Sequence, residues 1–410
     1  MGEPGFTNQS PAGMMKHMFD LNAIQATLAE FEIDGWLLYD FRGTNVFAGR
    51  ILDMDSDHIG SRRYAYFVPQ TGQPTKLVHR IEEGALDHLP GEKIVYLPWQ
   101  AFERGIATLI GDAKKVAMEY SPRNGNPYVS RVDGGTVELV RELGVEIVSS
   151  GDLVQRFEAT LDDEQWASHF EADKNTQAAF DIAWSYIAQR IKANGSVSEY
   201  DVQQRIMEHL EACEMTTYHP PIVGVGPNSG DPHYAPMKNQ CDLIREGEFV
   251  LIDLWAKMKR PRSIYSDLTK VGFVDTSVPQ KYDDIFTIVA AARDAGIQCV
   301  RDAFAAGRAL QGWEVDEATR KVIVDAGYGE YFVHRTGHSI GQETHGNGAN
   351  MDNLETREDR RVITRTCFSI EPGIYQAEFG VRSEVNMLID SDGSVTVTGG
   401  LQTSVLPILA

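Results

Sequence analysis

The spacing of apolar residues divides the chain into two textures. From residue 19 to about 155, short β-rich runs (WLLY, YAYFV, KIVYL, KVAMEY and VEIV) alternate with the helically spaced LNAIQATLAEF and VELVRELG. Such alternation predicts an α/β unit. From about residue 160 the period lengthens. LDDEQWASHF opens a long amphipathic helix in which Phe180, Trp184, Ile187 and Ile191 share one face, with Gly195 as its stop. Ser198 is placed to cap a second helix over SVSEYDVQQRIMEHLEA. The arrangement recurs about 110 residues later: a long helix from about Tyr282 carries Ile297, Val300 and Phe304 and ends at Gly307, and EVDEATRKVIVDAG follows as its partner. Two copies of one helix-pair-and-strand unit predict a pseudo-symmetric half with a cleft between its repeats.

Composition narrows the class. The 410 residues are 42% hydrophobic and 24% charged, and no stretch approaches the roughly 20 apolar residues of a membrane span. Residues 1–18, MGEPGFTNQSPAGMMKHM, are Gly/Pro/Ser-rich without an apolar core and read as a flexible tail and not a signal peptide. Cys213, Cys241, Cys299 and Cys367 lie far apart with no C-x-x-C pair, which fits free thiols in a reducing, cytoplasmic setting. A formal charge of -21 argues against nucleic acid as a partner. The one basic run, KMKRPR at 257–262, reads as a solvated loop.

Three of the eleven histidines fall in HRTGHSIGQETHG, residues 334–346. Gly337 and Gly341 bracket His338, which disfavours the helix that an H-E-x-x-H zinc site requires. A strand reading puts His334 and His338 on one face and brings His345 in from elsewhere. Further donors must then come from other segments. GVGPNSG at 224–230 lacks the Lys-Ser/Thr of a phosphate loop and reads as a loop shaping the approach to His233. No G-x-S-x-G nucleophile context occurs.

Acids stand where apolar runs end: Asp253 after FVLI, Asp267 before a strand, Glu371 after CFSI, and Glu384 in a strand-like run between valines of GVRSEVNMLI. Taken singly each is an ordinary strand-end residue. Four buried carboxylates in one cleft require cations. With His338 they would balance two divalent ions, and a mostly oxygen donor set favours Mn²⁺, with Co²⁺, Fe²⁺ or Zn²⁺ as alternatives. Two such ions can share and activate a hydroxide, so the implied chemistry is metal-assisted hydrolysis.

The ordered motifs LID…SDLT, GHSIG, EPGIY and GVRSE resemble those of the pita-bread metallopeptidases of family M24, of the aminopeptidase P and prolidase kind. The resemblance covers residues 160–410 strongly, and 19–155 resembles the creatinase-type N-terminal domain. It implies an α/β creatinase-type domain over 19–157 and an α+β pita-bread catalytic domain over 158–410. By the same resemblance Asp253, Asp267, His338, Glu371 and Glu384 bind the two ions. His233 and His345 face the substrate, and Glu371 also shuttles a proton. His334 lines the substrate pocket, and Arg382 supports it. The implied reaction is hydrolysis of the N-terminal Xaa-Pro bond of peptides by a metal-bridging hydroxide in a homodimer, with an Xaa-Pro dipeptidase as the alternative. A metal-retaining lyase or a non-catalytic binding platform on the same fold are the other readings. Thirteen residues intervene between Asp253 and Asp267, a longer spacing than the family's, which KMKRPR fits as a lengthened hairpin tip. Leu254 and Trp255 replace the small residues expected after the first Asp and would narrow the cleft, and Lys270 stands where Arg is usual.

Overall fold

The computed structural model describes residues 19–54 and 60–410; the tail reading for 1–18 lies outside the described residues. The first sheet is built from β1 (Gly35–Asp40), β2 (Tyr64–Pro69), β3 (Thr75–His79), β4 (Glu92–Tyr96), β5 (Lys115–Met118) and β6 (Glu146–Ser149), in the order β4-β3-β2-β1-β5-β6. The hairpin pairs β1·β2 and β2·β3 are antiparallel and the crossover pairs are parallel. Helices α1 (Leu21–Glu30), α2 (Val46–Ile51) and α5 (Gly151–Glu158) cover one face, and α3 (Trp99–Ile110) and α4 (Gly134–Glu142) the other. β1 is buried on both faces, so its Trp36–Tyr39 run is continuously apolar instead of alternating. KVAMEY is shorter as a strand than its composition suggests. Beyond Met118 the Glu119 carboxylate turns into the core, where Trp36, Asn45 and Ser150 donate to it.

The second half opens with α6 (Asp163–Asn194), held by a capping box between Asp162 and Gln165 and ended by Gly195 at φ 76°. After β7 (Ser196–Ser198), the Ser198 hydroxyl caps α7 (Glu199–Ala212). Then come β8 (Met215–Thr216), β9 (Ile222–Val225), β10 (Leu243–Arg245) and a long hairpin of β11 (Phe249–Met258) and β12 (Ser266–Phe273). The repeat follows: α8 (Gln280–Ala305), α9 (Gly312–Asp325), β13 (Ser339–Ile340), β14 (Thr366–Ile370), β15 (Gly373–Tyr375), β16 (Gly380–Arg382), β17 (Val385–Ile389), β18 (Val395–Thr398) and β19 (Leu406–Pro407). Phe180, Ile187 and Ile206 of the first helix pair pack on Ile252 and Leu254 of β11, while Ile297, Val300 and Val315 of the second pack on Phe368 and Met387 of β14 and β17. Each helix pair thus covers its own sheet, β19-β12-β11-β8 or β13-β14-β17-β18, and the site lies where the two sheets meet.

Four expectations need correction; Asp267, expected before a strand, is the second residue of β12. Residues 332–338 are not a strand. Their backbone groups are satisfied by side chains of α9: Arg320 donates to the carbonyls of Phe332 and His334, and Asp316 accepts from the Thr336 N–H. Asp253 does not end a strand, because β11 runs on through Met258 against β12 and β8. Glu384 lies in the break between β16 and β17 and not within a strand.

Candidate metal centre

The β11–β12 register sets the first half of the site. Asp253 stands opposite Thr269 and Trp255 opposite Asp267, so these four share one face of the hairpin. Leu254, between Asp253 and Trp255, and Lys270, next after Thr269, point the other way. Leu254 is wholly buried in the core under α6, and the Lys270 ammonium lies over the Phe180 ring at 5.2 Å. Of the two residues expected to narrow the cleft, only Trp255 is on its side. The extra residues between the acids are taken up at the hairpin tip. The basic run there is not simply solvated: Arg260 pairs with Glu171 and Arg262 with Asp162 of the α6 start, while Lys257 donates to the Gln342 carbonyl.

The second half comes from β14 and the breaks beside it. Gly337 passes so close to β14 that a Cβ there would lie 2.0 Å from the Ser369 carbonyl oxygen. This approach lets the Ser369 hydroxyl accept from the His338 N–H at 2.9 Å and donate to Glu371 Oε1 at 3.2 Å. Ligand atoms of Asp267, His338 and Glu384 all lie within 4.8 Å of one another, and all three residues are buried. His338 Nε2 is 3.4 Å from Asp267 Oδ2 and 3.4 Å from Glu371 Oε1. Asp253 flanks this cluster; one of its oxygens is paired with the Arg382 guanidinium.

The donor set fits a cation. His338 Nδ1 lies 3.1 Å from the Ser339 carbonyl, which assigns the ring proton to Nδ1 and leaves the Nε2 lone pair aimed at two carboxylates. Asp253 Oδ1 and Glu384 Oε1 are buried with no hydrogen-bond partner among the described residues. Burial, then neighbouring carboxylates, push Asp267 and Glu384 well above the usual acid range. Burial also lifts Glu371 to about 7, against the pull of His338 and Arg382, and lowers the basicity of His338. A ring lone pair and unpartnered carboxylate oxygens gathered in a buried cluster are what a divalent ion relieves.

The remaining predicted residues surround the cluster. His345 meets His338 ring to ring, and the competing imidazole of His338, then desolvation, lowers its pKa to about 3. The His233 ring is exposed; its loop is held by Asp231, which accepts from the His233 N–H, and by Glu199, which accepts from the Tyr234 hydroxyl. His334 is engaged at both nitrogens, Nδ1 with the Arg335 carbonyl at 2.7 Å and Nε2 with the Tyr375 hydroxyl at 2.7 Å. Arg382 donates to that same hydroxyl, to Thr269 Oγ1 and to Asp253, so a chain of bonds runs from His334 to Asp253. The sequence reading missed Tyr375, Thr269 and Asn386, and an aromatic wall in which the Trp255 ring stacks on His219 and tilts against Tyr218, centroids 6.2 and 5.9 Å away. Thr269 and Asn386 were findable, since each stands two residues beyond a predicted acid.

Residues 171–391, over half of the chain, match metallopeptidase family M24. The Xaa-Pro dipeptidase of Lactobacillus delbrueckii subsp. lactis is 26% identical over 403 residues, covering 95% of this chain and 99% of that protein. Two other curated relatives are matched over 64% and 54% of their lengths. Among solved structures, the dipeptidase PepE of Mycobacterium ulcerans superposes with a TM-score of 0.62 at 21% identity, over 95% of this chain and 96% of that one. An X-prolyl aminopeptidase of Caenorhabditis elegans, described as a cytosolic enzyme with a di-nuclear active site, gives a TM-score of 0.59 at 15% identity, over 94% of this chain and 62% of that one. These likenesses carry the fold, a creatinase-type α/β part followed by an α+β pita-bread part.

Proposed function

The chain belongs to metallopeptidase family M24 and is a hydrolase, and from that premise we propose that it cleaves the bond before a proline in second position of a peptide. The observation that carries this reading is the Nε2 lone pair of His338 converging with Asp267 and Glu371 carboxylate oxygens at 3.4 Å. Asp253, Asp267, His338, Glu371 and Glu384 are the residues that would hold two divalent ions, Mn²⁺ being the first to test. Ions held by these residues would supply water activation and polarisation of the scissile carbonyl.

The protein's own groups do the rest. Glu371, held by the Ser369 hydroxyl beside the cluster, takes the proton of the attacking water and passes it to the leaving proline nitrogen. His345, neutral beside His338, donates to the carbonyl oxygen as it gains charge, and His233 faces the same space from the other repeat. Arg382 holds Asp253 in place. His334 and Tyr375 orient Arg382 and line the pocket.

Residues 19–157 and 158–410 are proposed as the two domains, in a homodimer of the cytoplasm. The names of the dipeptidase relatives favour dipeptides as substrates, whereas the aminopeptidase reading requires longer ones. Hydrolysis of Xaa-Pro and Xaa-Pro-Xaa peptides by chelated protein, before and after Mn²⁺ is restored, tests both points. Metal-independent cleavage, or none of either substrate, would refute the proposal.

A further inference from the structure

We propose that Asn386, with Thr269 beside it, is a positioning clasp that sets the separation of Asp267 and Glu384 across the seam between the two sheets of the second half. This rests on the cation-binding reading above. β12 and β17 belong to different sheets and share no strand pairing. At the seam the Asn386 side chain takes the place of a strand partner: Oδ1 accepts from the Asp267 N–H at 3.0 Å, and Nδ2 donates to the Asp267 carbonyl at 2.6 Å. These are the two bonds that a residue opposite Asp267 would exchange in an antiparallel ladder. Asn386 is 0% exposed, so no water substitutes for either bond.

The backbone of Asn386 is meanwhile in register with Ser369 of β14, and the Ser369 N–H donates to the His338 carbonyl at 2.9 Å. One transverse row, Asp267–Asn386–Ser369–His338, therefore links segments from both repeats. A second pair of bonds closes the seam two residues away. The Thr269 hydroxyl donates to Glu384 Oε2 at 2.8 Å, and the Glu384 N–H to the Thr269 carbonyl at 3.3 Å. The carboxylates of Asp267 and Glu384 share the donor cluster with His338, and their spacing is thus held by side chains that offer no ligand themselves. An aliphatic residue at 386 would leave the Asp267 N–H and carbonyl buried and unpaired, and the strand free to shift. Outer partners of this kind typically change metal affinity roughly 10–100-fold.

The test uses the full chain stripped of metal, titrated with Mn²⁺ by calorimetry, and in parallel loaded with Co²⁺ for its visible absorption spectrum. Asn386→Ala and near-isosteric Thr269→Val are compared with the unaltered protein after circular dichroism confirms folding. The clasp predicts Mn²⁺ affinity weakened roughly 10–100-fold in Asn386→Ala and about 10-fold in Thr269→Val, with altered Co²⁺ spectra in both. A role in stability alone would lower melting temperatures and leave affinity and spectrum unchanged, and that result overturns the proposal. If Asn386→Ala does not fold, Thr269→Val decides by the same two readings. Cation binding by the unaltered protein, with no change in either variant, sinks the clasp and leaves the function standing. No cation binding by the unaltered protein sinks both.

Discussion

The imidazoles of His338 and His345 meet edge to face, their centroids 4.4 Å apart at 79°. One ring lies within the cluster of buried acids and the other against its rim. The sequence interval of seven residues cannot produce this contact in a strand or a helix; the turn through Gly341 and Gly346 does. In the proposed reaction His345 acts on the substrate without holding an ion. His345→Ala should lower kcat roughly 10²-fold while Mn²⁺ stoichiometry stays that of the unaltered protein, as steady-state kinetics and calorimetry can establish together.

Glu371 accepts from the Ser369 hydroxyl at 3.2 Å and lies 3.4 Å from His338 Nε2, beside the space where the attacking water would stand in the proposed reaction. Glu371→Gln keeps the shape and the bond to Ser369 but cannot carry a proton. Turnover should fall roughly 10²–10⁴-fold with native circular dichroism and most cation binding retained. Normal hydrolysis of Xaa-Pro substrates by this variant would remove Glu371 from the proton path.

Trp255 shares the site face of the hairpin with both aspartates, and its indole N–H has no partner among the described residues. Trp255→Gly should widen the cleft beside Asp267. A panel of Xaa-Pro peptides graded by first-residue size should shift toward bulky residues, by roughly 10-fold in relative kcat/KM. An unchanged ranking would exclude Trp255 from contact with the substrate.

The converging acids make the cation a stability determinant as well. Mn²⁺ at a hundredfold excess over its Kd should add about 2.7 kcal/mol for each ion bound, seen as a higher Tm on reloading than after chelation. Equal melting curves in the two states would contradict binding to the folded form.

His169 lies far from the donors in sequence and is wholly buried, bonded to the Tyr265 carbonyl at 2.7 Å and to Thr398 Oγ1 at 2.9 Å. Burial lowers its pKa from 6.5 to about 4. The unfolded chain thus takes up the proton first, and stability is lost as pH falls from 6.5 through 4, by at most on the order of 3 kcal/mol. Urea midpoints at pH 7.5 and pH 5 should differ less for His169→Gln than for the unaltered protein; an equal difference would assign the acid sensitivity elsewhere.

The long helices were legible because their signals are local. Phe180, Trp184, Ile187 and Ile191 repeat at the helical period, and Ser198 and Gly195 act within one turn of the ends they cap. The strand TKLVH and the six-residue α2 escaped notice, since so few residues carry no distinctive period and their stability comes from neighbours. The segment around His334 misled for a related reason: its β-favouring residues are held by Arg320 and Asp316 of another helix, and no pattern within the segment announces that.

By itself the sequence determined the repeated helix-and-strand plan, the family and the identities of the candidate donors, because periodicity, capping and short motifs are written in neighbouring residues. Only the tertiary structure decided which face each residue turns to the cleft, that Leu254 faces away while Trp255 does not, and that Asn386 stands in for a strand opposite Asp267. Those outcomes depend on register and on contacts between segments more than a hundred residues apart, where the energy of a bond depends on what the rest of the fold brings to it.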